Sequence, residues 1–176
     1  PIFDDGYKAD TPIASAVYDI QAFEELNKQP YLVKIMNLFE ERFNDTITQL
    51  KIYHQGRALI LSDVMPILEN LGFRVLEQSS YTLSFAQHTQ GLDIFRVQDK
   101  KGFPLNVRDD ALRLEAALLA LLNHQAENDR LNQLVLAELN LRQVALLRAY
   151  QMYYAQLNAV TSPKFVTDTL LKHSHI

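Results

Sequence analysis

One stretch, LSDVMPILENLGFRV from Leu61 to Val75, constrains this chain more than any other. Its spacing predicts a short helix with both ends marked. Asp63 is placed to cap the amino end through its carboxylate, and Pro66 then falls in the first turn, where a missing N–H costs least. Gly72 supplies a left-handed stop. Between them Val64, Ile67, Leu68 and Leu71 recur at i, i+3, i+4 and i+7 as one apolar stripe, with Glu69 and Asn70 facing water. Burying each of these side chains is worth roughly 1.5 to 3 kcal/mol, enough to dock the helix only against a broad apolar surface. The flanks predict that this surface is a sheet. Gln49 to His54 alternates around Leu50 and Ile52 before Gly56 turns the chain, and Arg74 to Gln78, then Tyr81, Leu83 and Phe85, repeat the strand period of two.

Around this strand, helix, strand unit the chain reads as follows. Pro1 to Thr11 lacks a clear period and is expected to be an extended lead-in. Thr11 or Pro12 opens a helix with Ile13, Ala16, Val17, Ile20, Phe23 and Leu26 as its buried stripe, ending before Pro30. Tyr31 to Phe39 fits a strand or a helix; strand is preferred because the sheet needs partners. Glu40 to Thr46 is a polar connection. Ala86 to Gly91 is expected to be a loop, with Leu92 to Gln98 a further strand pairing antiparallel with its predecessor, Phe95 and Val97 on one face and Leu92 and Ile94 on the other. Asp99 to Pro104 is a turn. Asp109 or Asp110 caps a Leu/Ala helix to about His124, which carries Leu112, Leu114, Leu118, Leu119, Leu121 and Leu122 and should be sandwiched between the sheet and later helices. Beyond Glu127 all is helical: Arg130 to Leu139, then a helix capped by Asn140 with Gln143 as in a capping box, and a last one restarted at Ser162-Pro163. The order strand, strand, helix, strand, strand, helix resembles an α+β layer of ferredoxin-like kind, an antiparallel sheet with packed helices, followed by an α-helical extension. The expected division is 1–29 lead-in and helix, 30–125 α+β domain, and 126–176 helical connector.

At 176 residues the chain can bury a real core, and its 48% hydrophobic and 22% charged composition is ordinary. A net charge of -4 gives no electrostatic reason to expect nucleic acid or an anionic membrane. No apolar run is long enough to span a bilayer. With no cysteine and no basic-then-apolar leader, a cytoplasmic location is expected. A start at Pro1 rather than methionine suggests a piece of something longer.

Candidate chemistry is sparse. His54, His88, His124, His173 and His175 are scattered, and only the last two are close, so no metal site is expected and ordinary surface histidines are. The glycines at 6, 56, 72, 91 and 102 form no GxGxxG or phosphate loop, which leaves no cofactor seat. Ser62 and Asp63 read as helix capping rather than part of a hydrolytic triad, and no catalytic residue is expected. Arg142 and Arg148 lie six apart on one helix, about 120° from each other, so they form no single anion clamp. Arg148 either pairs with a carboxylate of a neighbouring domain or lays its stem along its own bundle. Tyr150, Tyr153 and Tyr154, with few basic neighbours, point to packing or an interface.

Leu61 to Val75 resembles the LSDVxPILENLG signature of the large-subunit, NAD-dependent glutamate dehydrogenases of bacteria, in which Asp63, Pro66, Asn70 and Gly72 are the structural signature. A second run, Val144-Ala-Leu-Leu-Arg-Ala-Tyr150 with Tyr153 and Gln156, resembles that family's VALLRAY helix, and Asn132, Leu134 and Val135 match the approach to it. Thr11-Pro12, Asp19-Ile20 and, in the tail, Thr169-Leu-Leu171, His173 and Ile176 extend the likeness over the chain, with Ser174 where a proline usually follows the histidine. The resemblance implies the last ACT-like domain plus a helical connector ahead of the catalytic region, of a parent that turns L-glutamate, NAD and water into 2-oxoglutarate, ammonium and NADH. It implies that NAD and the catalytic residues belong to the region that follows, and that this piece alone is inactive. Its partners would be the catalytic region of its own polypeptide, further copies in a homo-oligomer, and an amino-acid effector; Arg142, Arg148, Tyr150 and Tyr153 are the candidate interface. A free-standing amino-acid-sensing module and a purely structural oligomerisation domain are the alternatives. Departures stand at His54-Gln55-Gly56-Arg57, where two basic residues commonly precede the glycine, at Glu138 to Leu141, where a glycine, a serine or threonine and a tryptophan are usual, and in Leu92 to Val97, which lacks the frequent His-Asp pair.

Overall fold

The structure, a computed structural model, describes residues 3, 5–26, 29–40, 45–56, 59–84, 89–157 and 162–174. Its helices are α1 (Asp5–Asp10), α2 (Ile13–Leu26), α3 (Leu61–Asn70), α4 (Val107–Leu122), α5 (Leu141–Leu157) and α6 (Pro163–Lys172), with a 3-10 helix at Arg130–Ala137; its strands are β1 (Tyr31–Glu40), β2 (Asp45–Gln55), β3 (Arg74–Ser84) and β4 (Thr89–Gln98). The strands make one antiparallel sheet in the order β1-β2-β4-β3. Because β2 and β3 both oppose β4, they are parallel to each other and joined by α3, a split βαβ unit. Moving β1 from the head of the order to its tail turns ββαββα into βαββαβ, so the α+β layer is ferredoxin-like, entered one strand early.

The strand period divides the core. Val33, Ile35, Leu50, Ile52, Phe95 and Val97 face α3, α4 and the 3-10 helix, and this cluster continues to Val144 of α5. Leu32, Tyr53, Leu83 and Leu92 face the other way, under Tyr7 of α1 and Ala22, Phe23 and Leu26 of α2. Tyr31–Glu40 is thus a strand, the preferred reading, and the register sets Ile35 against Leu50 and Leu50 against Phe95. As an edge strand β1 needs cover. Glu115 of α4 provides some, accepting a 2.8 Å hydrogen bond from the Ile35 amide.

Burial pushes the Glu115 carboxyl above its ordinary value, against the pull of that amide and of Lys34. A raised carboxyl makes the folded state bind its proton more tightly, so the stability it confers is complete in acid and is lost as pH rises through the folded pKa. Glu115→Gln keeps an acceptor for Ile35 and removes the titration. Urea midpoints measured from pH 4 to 7 should therefore show the variant gaining on the parent chain as pH rises, by under about 1 kcal/mol; a constant difference would contradict this.

Helix α3 ends as its sequence predicts. Gly72 adopts φ +88°, its N–H reaches the Glu69 carbonyl, and the Phe73 N–H reaches the Leu68 carbonyl, a Schellman closure with Phe73 and Leu68 both buried. Its start differs. Ile60 is the N-cap and Asp63 lies exposed in the first turn without a side-chain capping bond, so its contribution is its charge near the helix dipole; Pro66 lies in the second turn. Helix α4 likewise starts at an Asn106 cap, with Asp109 and Asp110 inside the first turn, and Leu112 is exposed. The lead-in is not extended, because α1 forms there and buries Tyr7. Gly91 is not in a loop but within β4. Of the expected polar connection, Glu40 ends β1 and Asp45 and Thr46 open β2, while 41–44 lie outside the described residues; of the expected loop, Thr89 and Gln90 also belong to β4, and 85–88, which include Phe85, lie outside the described residues.

The largest difference is in α2. Ile13, Val17 and Ile20 are exposed, and the buried positions are Asp19, Ala22, Phe23 and Leu26, which also recur at i, i+3, i+4 and i+7. Two stripes of helical period share this helix, and the one containing an aspartate docks on the sheet. The reason lies beneath it.

Candidate functional site

The odd positions of β2 place Lys51 and Tyr53 under α2, against the apolar cluster of Leu32, Leu83, Leu92, Phe23 and Leu26. Lys51 is 1% exposed and Asp19 and Tyr53 are 0% exposed. Lys51 Nζ donates to Asp19 Oδ1 at 2.6 Å, to Oδ2 at 2.9 Å and to Ser15 Oγ at 2.9 Å, while the Tyr53 hydroxyl donates to Oδ1 at 2.5 Å and the Tyr7 hydroxyl to Oδ2 at 2.6 Å. Burial and the Asp19 charge push both phenols well above the ordinary tyrosine value. A buried ion pair endures only when its remaining hydrogen-bonding capacity is met, and here three donors saturate one carboxylate. The node is a clamp between α1, α2 and β2, with no reactive atom left to offer.

Beside it the same sheet face opens into a cleft of about 720 Å³ between the α1–α2 junction and strands β1 to β3. Asp10, Thr11, Ser15 and Tyr18 form the helical wall, Met36, Leu38 and Ile94 an apolar floor, and Gln49, Glu77 and Arg96 the charged end. Arg96 Nη1 and Glu77 Oε2 form an ion pair across β3 and β4, and the Tyr81 hydroxyl donates to Asp10 at 3.3 Å.

On the opposite face His54 is 2% exposed, so it is no surface histidine; its Nε2 lies 3.0 Å from Asp93 Oδ2, whose other oxygen accepts from Gln78 at 2.7 Å. Its Nδ1 is buried without a hydrogen-bond partner. Of the other histidines, His124 and His173 are exposed, and 88 and 175 lie outside the described residues.

The positions singled out from the sequence do not converge. Asp63, Pro66, Asn70 and Gly72 build α3, and Asn70 donates to Asn128 at 3.1 Å. Arg148 turns inward: Nε donates to Asp129 Oδ2 at 2.6 Å, and Nη2 to Asp129 Oδ1 at 3.0 Å and Asn132 Oδ1 at 3.1 Å, tying α5 to the 3-10 helix whose first turn Asp129 caps. These bonds hold the Arg148 guanidinium above its ordinary pKa. Arg142 is exposed, and Tyr150 and Tyr153 are 63% and 59% exposed. Leu146, Tyr150, Tyr153 and Leu157 line up along α5 at i, i+4, i+7 and i+11 as an outward apolar stripe with Arg142 at its head.

The described residues do not fit a dinucleotide. Gly56, Gly72 and Gly102 serve isolated turns of positive φ, and the space above Gly91 is filled by the His54 ring. Among the described residues no three His, Asp or Glu side chains gather to hold a metal, and no helix is long and apolar enough to cross a membrane.

The buried node and the cleft were not read from the sequence. A signal existed: Asp19 interrupts an apolar helical stripe, and Lys51 stands between Leu50 and Ile52 in a strand. A lone acid and a lone base in two apolar runs are candidates for each other.

A ferredoxin-like layer, capped on its second face by two short helices and continued by a helical arm, defines the class as an ACT-like module with a helical extension. Residues 34–112 match the model of the glutamate dehydrogenase ACT3 domain, and residues 126–176 match that of glutamate dehydrogenase helical motif 3. Three NAD-specific glutamate dehydrogenases are similar to it along nearly its whole length: that of Pseudomonas aeruginosa, 34% identical over 99% of the chain, that of Halomonas elongata, 31% over 99%, and that of Mycobacterium tuberculosis, 31% over 97%. The chain belongs to the large NAD-dependent glutamate dehydrogenase family, as a segment spanning 11% of the length of each of these relatives.

Proposed function

We propose that this chain is a non-catalytic assembly and regulatory segment of a large NAD-dependent glutamate dehydrogenase of the bacterial cytoplasm. In that reading the parent converts L-glutamate, NAD and water to 2-oxoglutarate, ammonium and NADH, and NAD binds in the catalytic region of the same polypeptide. This segment contributes no reacting group, holds that region in place within a homo-oligomer and answers a small-molecule effector. The observation that carries the proposal is the pair of outward apolar stripes, Leu146, Tyr150, Tyr153 and Leu157 on α5 and Ile13, Val17 and Ile20 on α2, on helices whose other faces are already docked. Exposed aromatic and aliphatic side chains in register mark contact surfaces, and most of the parent chain lies outside this segment.

The interface half of the proposal now rests on Arg142, Tyr150 and Tyr153, since Arg148 is committed within the chain. In the full-length enzyme, Tyr150→Lys with Tyr153→Lys should shift the oligomer towards smaller species in sedimentation and lower glutamate-dependent NAD reduction at least tenfold, the size of effect that two buried tyrosine contacts supply. The isolated 176-residue chain should reduce no NAD. Unaltered assembly and activity in the double variant, or turnover by the isolated chain, would refute the proposal.

A further inference from the structure

We propose that the outward stripe of α5 in one copy of this chain packs antiparallel on the outward stripe of α2 in a second copy, with Arg142 of one set against Glu24 of the other. The inference rests on the assembly reading above and names the two surfaces that meet. On α2 the exposed residues Ile13, Val17, Ile20 and Glu24 stand at i, i+4, i+7 and i+11. On α5 the exposed residues Arg142, Leu146, Ala149 and Tyr153 repeat that spacing. Each run is about 16 Å long, and alternating steps of this kind let two helices interdigitate knobs into holes. Charge decides the partner and the direction. Helix α2 carries no lysine or arginine, and α5 no aspartate or glutamate. Either stripe laid on its own copy leaves its charged end over an apolar residue or against its like. An antiparallel α5 on α2 sets Glu24 against Arg142 and Ile20 against Leu146, then Val17 over the small Ala149 and Ile13 against Tyr153. A parallel one would put Arg142 over Ile13 and Glu24 over Tyr153, and would align the two helix dipoles instead of opposing them. One chain cannot make this contact with itself, because α2 covers one face of the sheet and α5 continues the cluster on the other. Each copy therefore gives one stripe and receives the other. Both helices are held against rolling, α2 by the Lys51–Asp19 clamp and α5 by the bonds of Arg148 to Asp129 and of Gln151 to Thr167, so the surfaces are formed before they meet.

A disulfide trap in the full-length enzyme tests the pairing. This segment has no cysteine of its own, and Val17→Cys with Ala149→Cys puts one thiol on each stripe at positions that face each other in the antiparallel register. Mild oxidation should give a covalent dimer of chains on a non-reducing gel, with the two introduced thiols joined in one peptide pair by mass spectrometry. Val17→Cys with Leu157→Cys is the control: residue 157 lies about 12 Å further along α5, beyond the reach of a disulfide, and should give almost none. Glu24→Arg added to the trapping pair should cut the cross-linked fraction about fivefold, and Arg142→Glu added to that should restore it to within about twofold. Absence of the dimer, an equal yield from the control, or no rescue by the second charge reversal would overturn the pairing. If no dimer forms while the tyrosine variant above still loses assembly, the assembly reading stands and only this pairing falls. A trapped dimer beside an unaltered tyrosine variant would sink the assembly reading alone.

Discussion

Asp19→Ala is expected to cost the folded chain about 3–5 kcal/mol, because it leaves the Lys51 ammonium buried without its counter-charge and strands the hydroxyls of Tyr7 and Tyr53. Against a total stability that for domains of this kind is about 5–15 kcal/mol, that is enough to leave α1 and α2 unanchored even if the sheet survives. The measurement is urea unfolding followed by both far-ultraviolet circular dichroism and tyrosine fluorescence, the second reporting on all eight tyrosines, Tyr7 and Tyr53 among them. Loss should be much smaller in the double variant Asp19→Leu with Lys51→Met, where no charge is buried and the volume is nearly kept. If the single variant lost under about 1 kcal/mol, or the double variant lost as much as the single, the clamp would not be what holds the helices.

Why the clamp escaped a reading of the residues alone follows from what patterns encode. Gly72, Asn140 with Gln143, and Ser162 with Pro163 announce helix ends whose partners lie within three or four residues, and the structure places these bonds as expected: Asn140 N–H to Gln143 Oε1 at 2.8 Å, Gln143 N–H to Asn140 Oδ1 at 3.0 Å, and Phe165 N–H to Ser162 Oγ at 3.2 Å. The β-period likewise assigns Phe95 and Val97 to one face and Leu92 and Ile94 to the other, because a strand has only two faces. Helix α2 has more choices. Its two stripes are equally periodic, and hydropathy favours Ile13, Val17 and Ile20; what turns Asp19 inward is Lys51, thirty-two residues further on, together with the hydroxyls of Tyr7 and Tyr53. His54 was misplaced for the same reason, since Asp93 is thirty-nine residues away. Asp63 shows the converse limit: the N-cap falls at Ile60, so a residue type suited to capping sat three positions too late for the role.

The outward position of Ile13, Val17 and Ile20 then has a physical meaning rather than being a defect of packing. A helix with apolar groups on two faces and water on one of them is costly in isolation; under the assembly proposed above, the second face is the one that would meet another copy of a longer chain. The clamp makes this arrangement possible. It fixes α2 to the sheet by polar bonds of defined direction, where greasy packing alone would let the helix roll its aliphatic stripe inward.

Gly91→Ala should be the second severe substitution, for a reason unrelated to backbone freedom. Gly91 lies opposite His54 in the β2–β4 register, and a Cβ built there falls 2.1 Å from the His54 Cε1 and 2.3 Å from Nε2. The ring has nowhere to retreat, being 2% exposed and held to Asp93, which Gln78 holds in turn. Either β4 shifts away from β2 at the centre of the sheet, or His54 swings out and leaves the Asp93 carboxylate with one partner. Overpacking costs roughly 1–3 kcal/mol and an unsatisfied buried polar group a similar amount, so by either route a loss of about 1–3 kcal/mol is expected. A double-mutant cycle separates this from any general intolerance of the site: with His54→Ala in the background the clash is gone, and Gly91→Ala should then cost under about 1 kcal/mol, since a strand interior accepts alanine readily where nothing collides with it. Equal costs in the two backgrounds would mean that the ring is not what reserves this position for glycine.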